Sequence, residues 1–193
     1  MVTDFERGII IPVMPLFTKK MRSDMQNIFL IGFMGAGKST VAGWLNSRQG
    51  MRLVEMDQQI VQKEQMSISE IFETKGESYF RCLETGLLEE LQDQKDTVVS
   101  CGGGVPMRQC NVDAMRRSGV VVYLSAEPET VYMRVKNNHD RPLLEGNMNV
   151  EYISGLLEKR LPAYLAAADV TVKTDGREVE EICLEILEKC REK

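Results

Sequence analysis

Gly32-Phe33-Met34-Gly35-Ala36-Gly37-Lys38-Ser39 fits the pattern G-x-x-x-x-G-K-S, the signature of a phosphate-binding loop. Each residue type in it has a physical task. The glycines let backbone N–H groups converge on phosphate oxygens without interference from a Cβ. Lys38 brings a point charge to the outer phosphates, and the Ser39 hydroxyl is placed to ligate Mg²⁺. The flanks decide that this is more than a glycine-rich change of direction. Asn27-Ile28-Phe29-Leu30-Ile31 is a short apolar run that reads as a buried strand. Ser39 to Leu45 reads as a helix with Val41, Trp44 and Leu45 on one face. A loop between strand and helix aims the positive end of the helix at an anion.

Outward from the loop, strands and helices alternate. Strands are expected at 52–56, 97–101, 119–124 and 169–173. Helices are expected over 58–65, from the capping-box spacing Ser67-Ile68-Ser69-Glu70 onward until Gly76, over 77–92, from Pro128, and over 178–190. In the 77–92 helix, Phe80, Leu83, Leu87, Leu88 and Leu91 repeat at helical spacing. Apolar strands alternating with helices predict an α/β three-layer sandwich, a five-stranded parallel sheet covered on both faces. Ligands in such sheets bind beyond the carboxyl ends of the strands.

The 193 residues suffice for one domain with a substantial core. A net charge of −5 argues against a general binder of nucleic acid or anionic membrane, and no apolar run is long enough to span a bilayer. The five cysteines are scattered, with no C-x-x-C, so reduced buried thiols in a cytoplasmic protein are expected. With His139 the sole histidine, a His-based zinc site is not expected. Residues 1–25 stand apart as an N-terminal extension, expected to be flexible; its apolar Ile9–Phe17 stretch is interrupted by two prolines. Met21 and Met25 lie close to the first strand, so an upstream start assignment would account for the extension. The globular domain is expected to span 26–193.

The features that follow the strands are those that can carry chemistry. Asp57, after the second strand, can accept or hydrogen-bond an acceptor hydroxyl proton, and Glu55 can reach Mg²⁺ directly or through water; an acidic helix cap is the plainer reading of each. Gly102-Gly103-Gly104 follows the third strand, and three consecutive glycines suggest close backbone approach to a ligand. Arg81 pairs at i,i+3 spacing with Glu84. Residues 137–147, with Arg141, have the composition of a mobile lid that brings an arginine to a transferring phosphoryl group. Arg160 is a second arginine of interest, which spacing alone does not place. Together these residues argue for an ATP-dependent phosphoryl transferase acting on a small molecule. The absence of an N-K-x-D signature weighs against a GTPase switch.

The ordered set closely resembles the shikimate kinase family, within the P-loop NTPase fold, from about residue 26 to the C-terminus. It comprises the loop Gly32–Thr40, Asp57, Phe80-Arg81-Cys82-Leu83-Glu84, the glycine triplet, Arg141-Pro142-Leu143-Leu144, and Arg160 nineteen residues beyond Arg141. The resemblance implies ATP-dependent phosphorylation of shikimate at its 3-hydroxyl, giving shikimate 3-phosphate and ADP on the route to chorismate and aromatic amino acids. It implies that Arg81 and Arg160 clamp the shikimate carboxylate, a task suited to planar bidentate donors. Asp57 would hold the ring hydroxyls and polarise the 3-OH, with Gly102, Gly103 and Gly104 at the ring. ATP would lie on Gly35, Ala36, Gly37, Lys38, Ser39 and Thr40, with Arg134 stacked on adenine and Lys38 and Arg141 stabilising the transferring group. Ser39 and Glu55 would serve Mg²⁺. Glu55 stands where the family usually has Asp, and Cys101 where a larger apolar residue is common, with packing consequences only. A monomer is expected. Two alternatives stay open on the residues: a kinase for another hydroxy acid such as gluconate, and a nucleotide-binding regulatory module without catalysis.

Overall fold

The computed structural model describes residues 26–136 and 149–193. Its five strands are β1 (Asn27–Ile31), β2 (Arg52–Glu55), β3 (Thr97–Ser100), β4 (Gly119–Ser125) and β5 (Val170–Lys173). They form one sheet in the order β2-β3-β1-β4-β5, parallel throughout. The chain lays β2 and β3 to one side of β1, then crosses to β4 and β5 on the other. Strand order therefore reverses at β1, and the phosphate loop that follows β1 opens at the crevice this reversal creates.

The strand side chains alternate between two helical layers. Phe29, Ile31, Val99, Val121 and Tyr123 pack on one face. Covering them are α2 (Met56–Glu64), α3 (Ile68–Lys75), α4 (Glu77–Glu90), α5 (Gln109–Ser118), α6 (Pro128–Val135) and α7 (Val150–Ala167). Ile28, Leu30, Val98, Val120, Val122 and Leu124 face the other way, onto α1 (Lys38–Gln49) and α8 (Val179–Arg191). A short 3₁₀ turn, Val105–Met107, follows β3. Burying each large aliphatic or Phe side chain contributes about 1.5–3 kcal/mol, so the two layers of contacts fix the sheet between them. The expected cover on both faces fails at β5, where Val170 and Val172 are buried but Thr171 and Lys173 are exposed. An edge strand covered on one face alternates in this way.

The boundaries also move. Helix α2 starts at Met56, two residues before the expected start, because Met56 and Ile60 share a buried face and draw the first turn inward. Asp57 therefore stands in the first turn of a helix, where the helix dipole favours its charge. The capping box at Ser67 forms as expected: Glu70 N donates to Ser67 Oγ (3.2 Å), and Ser67 N donates to Glu70 Oε2 (2.7 Å). On α4 the core side carries Glu84 beside Phe80, Leu87 and Leu88, while Leu83 is only half-buried. Buried thiols are found at Cys101 and Cys183, but Cys82 and Cys110 are exposed on the outer faces of α4 and α5. Among the described residues no helix is long and apolar enough to cross a membrane.

Candidate active site

The phosphate loop takes a shape that its sequence requires. Gly35 (φ 75°) and Gly37 (φ 99°) lie in the left-handed region, which residues with a Cβ adopt only under strain. Helix α1 begins at Lys38 with no side-chain cap and no acidic residue in its first turn. Its leading amides suit an anion in place of a side chain. Lys38 Nζ donates to the carbonyls of Gly32 (2.9 Å) and Phe33 (3.0 Å), so the ammonium lies across the loop. Ala36 and Thr40 complete it, Ala36 buried and Thr40 exposed in the first turn of α1.

Two further groups gather there. Ser39 Oγ donates to Glu55 Oε2 (3.2 Å) and lies 3.4 Å from Ser100 Oγ, joining α1 to the carboxyl ends of β2 and β3. This all-oxygen set has the donor chemistry of a Mg²⁺ site, an ion that takes few protein ligands and completes its shell with water and phosphate. Arg134 projects from α6, where Nη1 donates to Gly35 O (3.1 Å) and Thr174 Oγ1 (3.0 Å) and Nη2 to Thr174 O (2.8 Å). It links the phosphate loop to the segment after β5.

On the other side of the crevice the glycine triplet receives side chains from three helices. A Cβ built on Gly102 would meet Glu84 Oε1 at 2.8 Å and Asp57 Oδ1 at 3.0 Å. One on Gly103 would lie 3.5 Å from Arg160 Nη1 and 3.8 Å from the Tyr164 hydroxyl. One on Gly104 would press on the Arg81 guanidinium, 2.7 Å from Cζ. Gly104 itself has φ −96° and ψ −9°, open to any residue, so glycine is needed there for room and not for conformation. The room left by the three glycines admits Asp57, Glu84, Arg160 and Arg81 close to the turn whose backbone the sequence led us to expect at a ligand.

Arg81 is held from two sides. Its Nη1 donates to Glu84 Oε2 (2.9 Å), and its Nε and Nη2 donate to Glu77 Oε1 (3.2 and 2.8 Å). The two carboxylates differ in setting: the Glu84 side chain is 1 % exposed and that of Glu77 64 %, so Glu84 is the partner with consequences. Burial pushes the Glu84 carboxyl above its usual range, with the Arg81 charge opposing and Asp57 adding to the rise. Among the described residues, Glu84 Oε1 has no hydrogen-bond partner. Arg160 lies with its guanidinium 5.6 Å from the centre of the Phe33 ring, so the phosphate loop supplies its cation–π platform. One turn on, the buried Tyr164 donates its hydroxyl to Gly103 O (2.8 Å) and stacks on Tyr123 at 5.2 Å.

The structure thus brings Asp57, Arg81 and Arg160 together around Gly102–Gly104, and Lys38, Ser39 and Glu55 around the loop. Arg134 joins the loop through Gly35. Arg141 and the expected lid, with His139, lie outside the described residues, as does the N-terminal extension. Sequence reasoning missed the burial of Glu84 and the role of Tyr164. The first had a signal: position 84 is four beyond Phe80 and four before Leu88, on the same buried stripe. Tyr164 had none, because its partner is a backbone carbonyl 61 positions away.

The family model for shikimate kinase matches residues 34–191. A shikimate kinase of Dehalococcoides mccartyi is 45 % identical over 166 residues, covering 86 % of this chain and 94 % of that one. One of Persephonella marina is 43 % identical, covering 86 % of this chain and all (100 %) of the relative. Among solved structures, the shikimate kinase from Acinetobacter baumannii in complex with shikimate superposes with a TM-score of 0.81 at 34 % identity, over 88 % of this chain and 94 % of the other.

Proposed function

The chain belongs to the shikimate kinase family and catalyses its reaction, ATP-dependent phosphorylation of shikimate, and we propose that it does so with a site divided at the glycine triplet. The donor half is the loop Gly35–Thr40. Its amides and the α1 N-terminus take the phosphates of ATP, and Lys38 exchanges its carbonyl partners for phosphate oxygens. Arg134 borders the nucleotide, and Arg141 joins the transferring group. Ser39 and Glu55 are the residues that would hold Mg²⁺, and Mg²⁺ would supply charge neutralisation at the outer phosphates.

The acceptor half is Asp57, Arg81, Arg160 and the backbone of Gly102–Gly104. Arg81 and Arg160 flank the turn and suit a bidentate grip on the shikimate carboxylate. Asp57 accepts the hydrogen bond of the 3-hydroxyl and takes its proton as that oxygen bonds to the γ-phosphorus. The bond from the γ-phosphorus to the bridging oxygen breaks, and ADP leaves with the electron pair. The observation that carries this reading is the convergence of two carboxylates, Asp57 and Glu84, and two guanidiniums on three glycines beside a phosphate loop. One domain, residues 26–193, carries every group named, so the proposed site needs no second copy and is compatible with the expected monomer, and a cytoplasmic location accords with the unpaired thiols.

A coupled assay with ATP, Mg²⁺ and shikimate tests the reading. ADP release that depends on shikimate is expected. Release no faster than the shikimate-free background would sink it, as would faster turnover on gluconate in a panel of hydroxy acids.

A further inference from the structure

We propose that Asn111 is a positioning residue for the acceptor, acting through Arg81 and the glycine turn without touching substrate. The inference rests on the acceptor half described above. Asn111 sits in the first turn of α5, fully buried. A buried amide must spend both its ends well. Its Nδ2 donates to Val105 O (3.0 Å), in the turn that Val105 N closes onto Gly102 O (3.1 Å). Its Oδ1 accepts from Thr85 Oγ1 (2.8 Å). Flipping the amide would set oxygen against the Val105 carbonyl, so the orientation is fixed by chemistry.

Thr85 stands one turn beyond Arg81 on α4, with Oγ1 3.0 Å from Arg81 O. A hydroxyl has one proton and both oxygens can only accept; the shorter contact, to Asn111 Oδ1, takes it, because Arg81 O has another donor. Arg81 O is served instead by Arg108 Nη1 (2.9 Å), which also reaches Thr85 Oγ1 (3.1 Å). The result is a closed frame with Asn111 as its corner. One arm fixes the backbone directly after Gly104; the other fixes the turn of α4 that carries Arg81. These are the two parts whose separation sets where the Arg81 guanidinium lies against Gly104. None of the frame residues belongs to the phosphate loop, so its loss should be read at the acceptor and not at ATP.

The experiment measures the KM for shikimate and for ATP, kcat, and melting temperature in Asn111→Leu, Thr85→Val and Thr85→Ser. Asn111→Leu and Thr85→Val should each raise the shikimate KM by about five-fold or more, the worth of one buried hydrogen bond, with the ATP KM unmoved. Thr85→Ser keeps the hydroxyl and should behave as the parent. Combining Thr85→Val with Asn111→Leu should add little, because both remove one shared bond. Parallel rises in both KM values, or a fall in melting temperature with the shikimate KM unmoved, would make Asn111 merely structural and overturn the proposal. Should Asn111→Leu fail to fold, the Thr85 pair decides alone. A parent chain without shikimate-dependent turnover would sink the acceptor assignment together with this inference. An active parent with unmoved variants would sink this inference only.

Discussion

The guanidinium of Arg81 occupies the space that a side chain on Gly104 would fill: a Cβ there would lie 2.7 Å from Cζ and 2.9 Å from Nη2. The backbone at Gly104 tolerates alanine, and what a methyl group would displace is the far end of a flexible side chain. Gly104→Ala should therefore still fold, but it pushes Arg81 off its bond to Glu84 and leaves a buried carboxyl without its partner, a loss of about 1–3 kcal/mol. The shikimate KM should rise about ten-fold, equivalent to about 1.4 kcal/mol, with the ATP KM unchanged. A stable variant with parental shikimate KM would show that Arg81 does not meet the acceptor from this position.

Glu84 makes stability depend on pH in an unusual direction. Burial raises its carboxyl above the ordinary 4.5, so the folded chain holds this proton more tightly than the unfolded chain. Stability from this group is complete below 4.5 and is lost as pH rises through the raised folded value. Glu84→Gln cannot ionise and should not show that loss. Urea midpoints measured from pH 4.5 upward should fall more steeply in the parent than in the variant. A parent-to-variant difference that stays constant with pH would contradict the assignment.

Much of this architecture was legible in the sequence because its signals are local. The phosphate loop carries its own glycines and flanking elements, and the strand runs are apolar enough to be read singly. Asp57 and Arg81 were legible as candidates, but their meeting at the glycine triplet was not, since it depends on β3 lying between β1 and β2. The helix under Arg160 was legible only as a helical pattern after the 137–147 segment, without bounds, because Pro162 belongs to its interior and reads locally as a break. Asn111, Thr85 and Tyr164 left no trace in the pattern. Each acts through a partner far along the chain, and polar residues at single positions have no period to detect.

The thiols should divide by burial. Cys82 and Cys110 are exposed, whereas burial pushes the Cys183 thiol up to about 12, Cys190 up to about 11 and Cys101 higher still. Because the thiolate is the reactive form, a disulfide reagent near pH 8 should titrate two thiols rapidly in the native enzyme and all five in urea. Rapid reaction of a third native thiol would mean that α8 or the core opens more readily than its packing indicates.

Asp57 separates the acceptor chemistry from ATP binding most directly. It stands in the first turn of α2, facing Gly102 across the crevice from the loop that holds Lys38. Asp57→Asn keeps the shape and the hydrogen-bonding oxygen but lacks a carboxylate to take the hydroxyl proton. Turnover should fall about 10²- to 10⁴-fold, the usual contribution of a positioned base. ATP affinity should hardly change, because none of the groups assigned to the phosphates lies on α2. Equilibrium titration with a non-hydrolysable ATP analogue, set beside kcat for the same preparations, makes the comparison. Equal losses in both would mean that Asp57 supports the loop rather than the acceptor, and the division of the site at the glycine triplet would have to be redrawn.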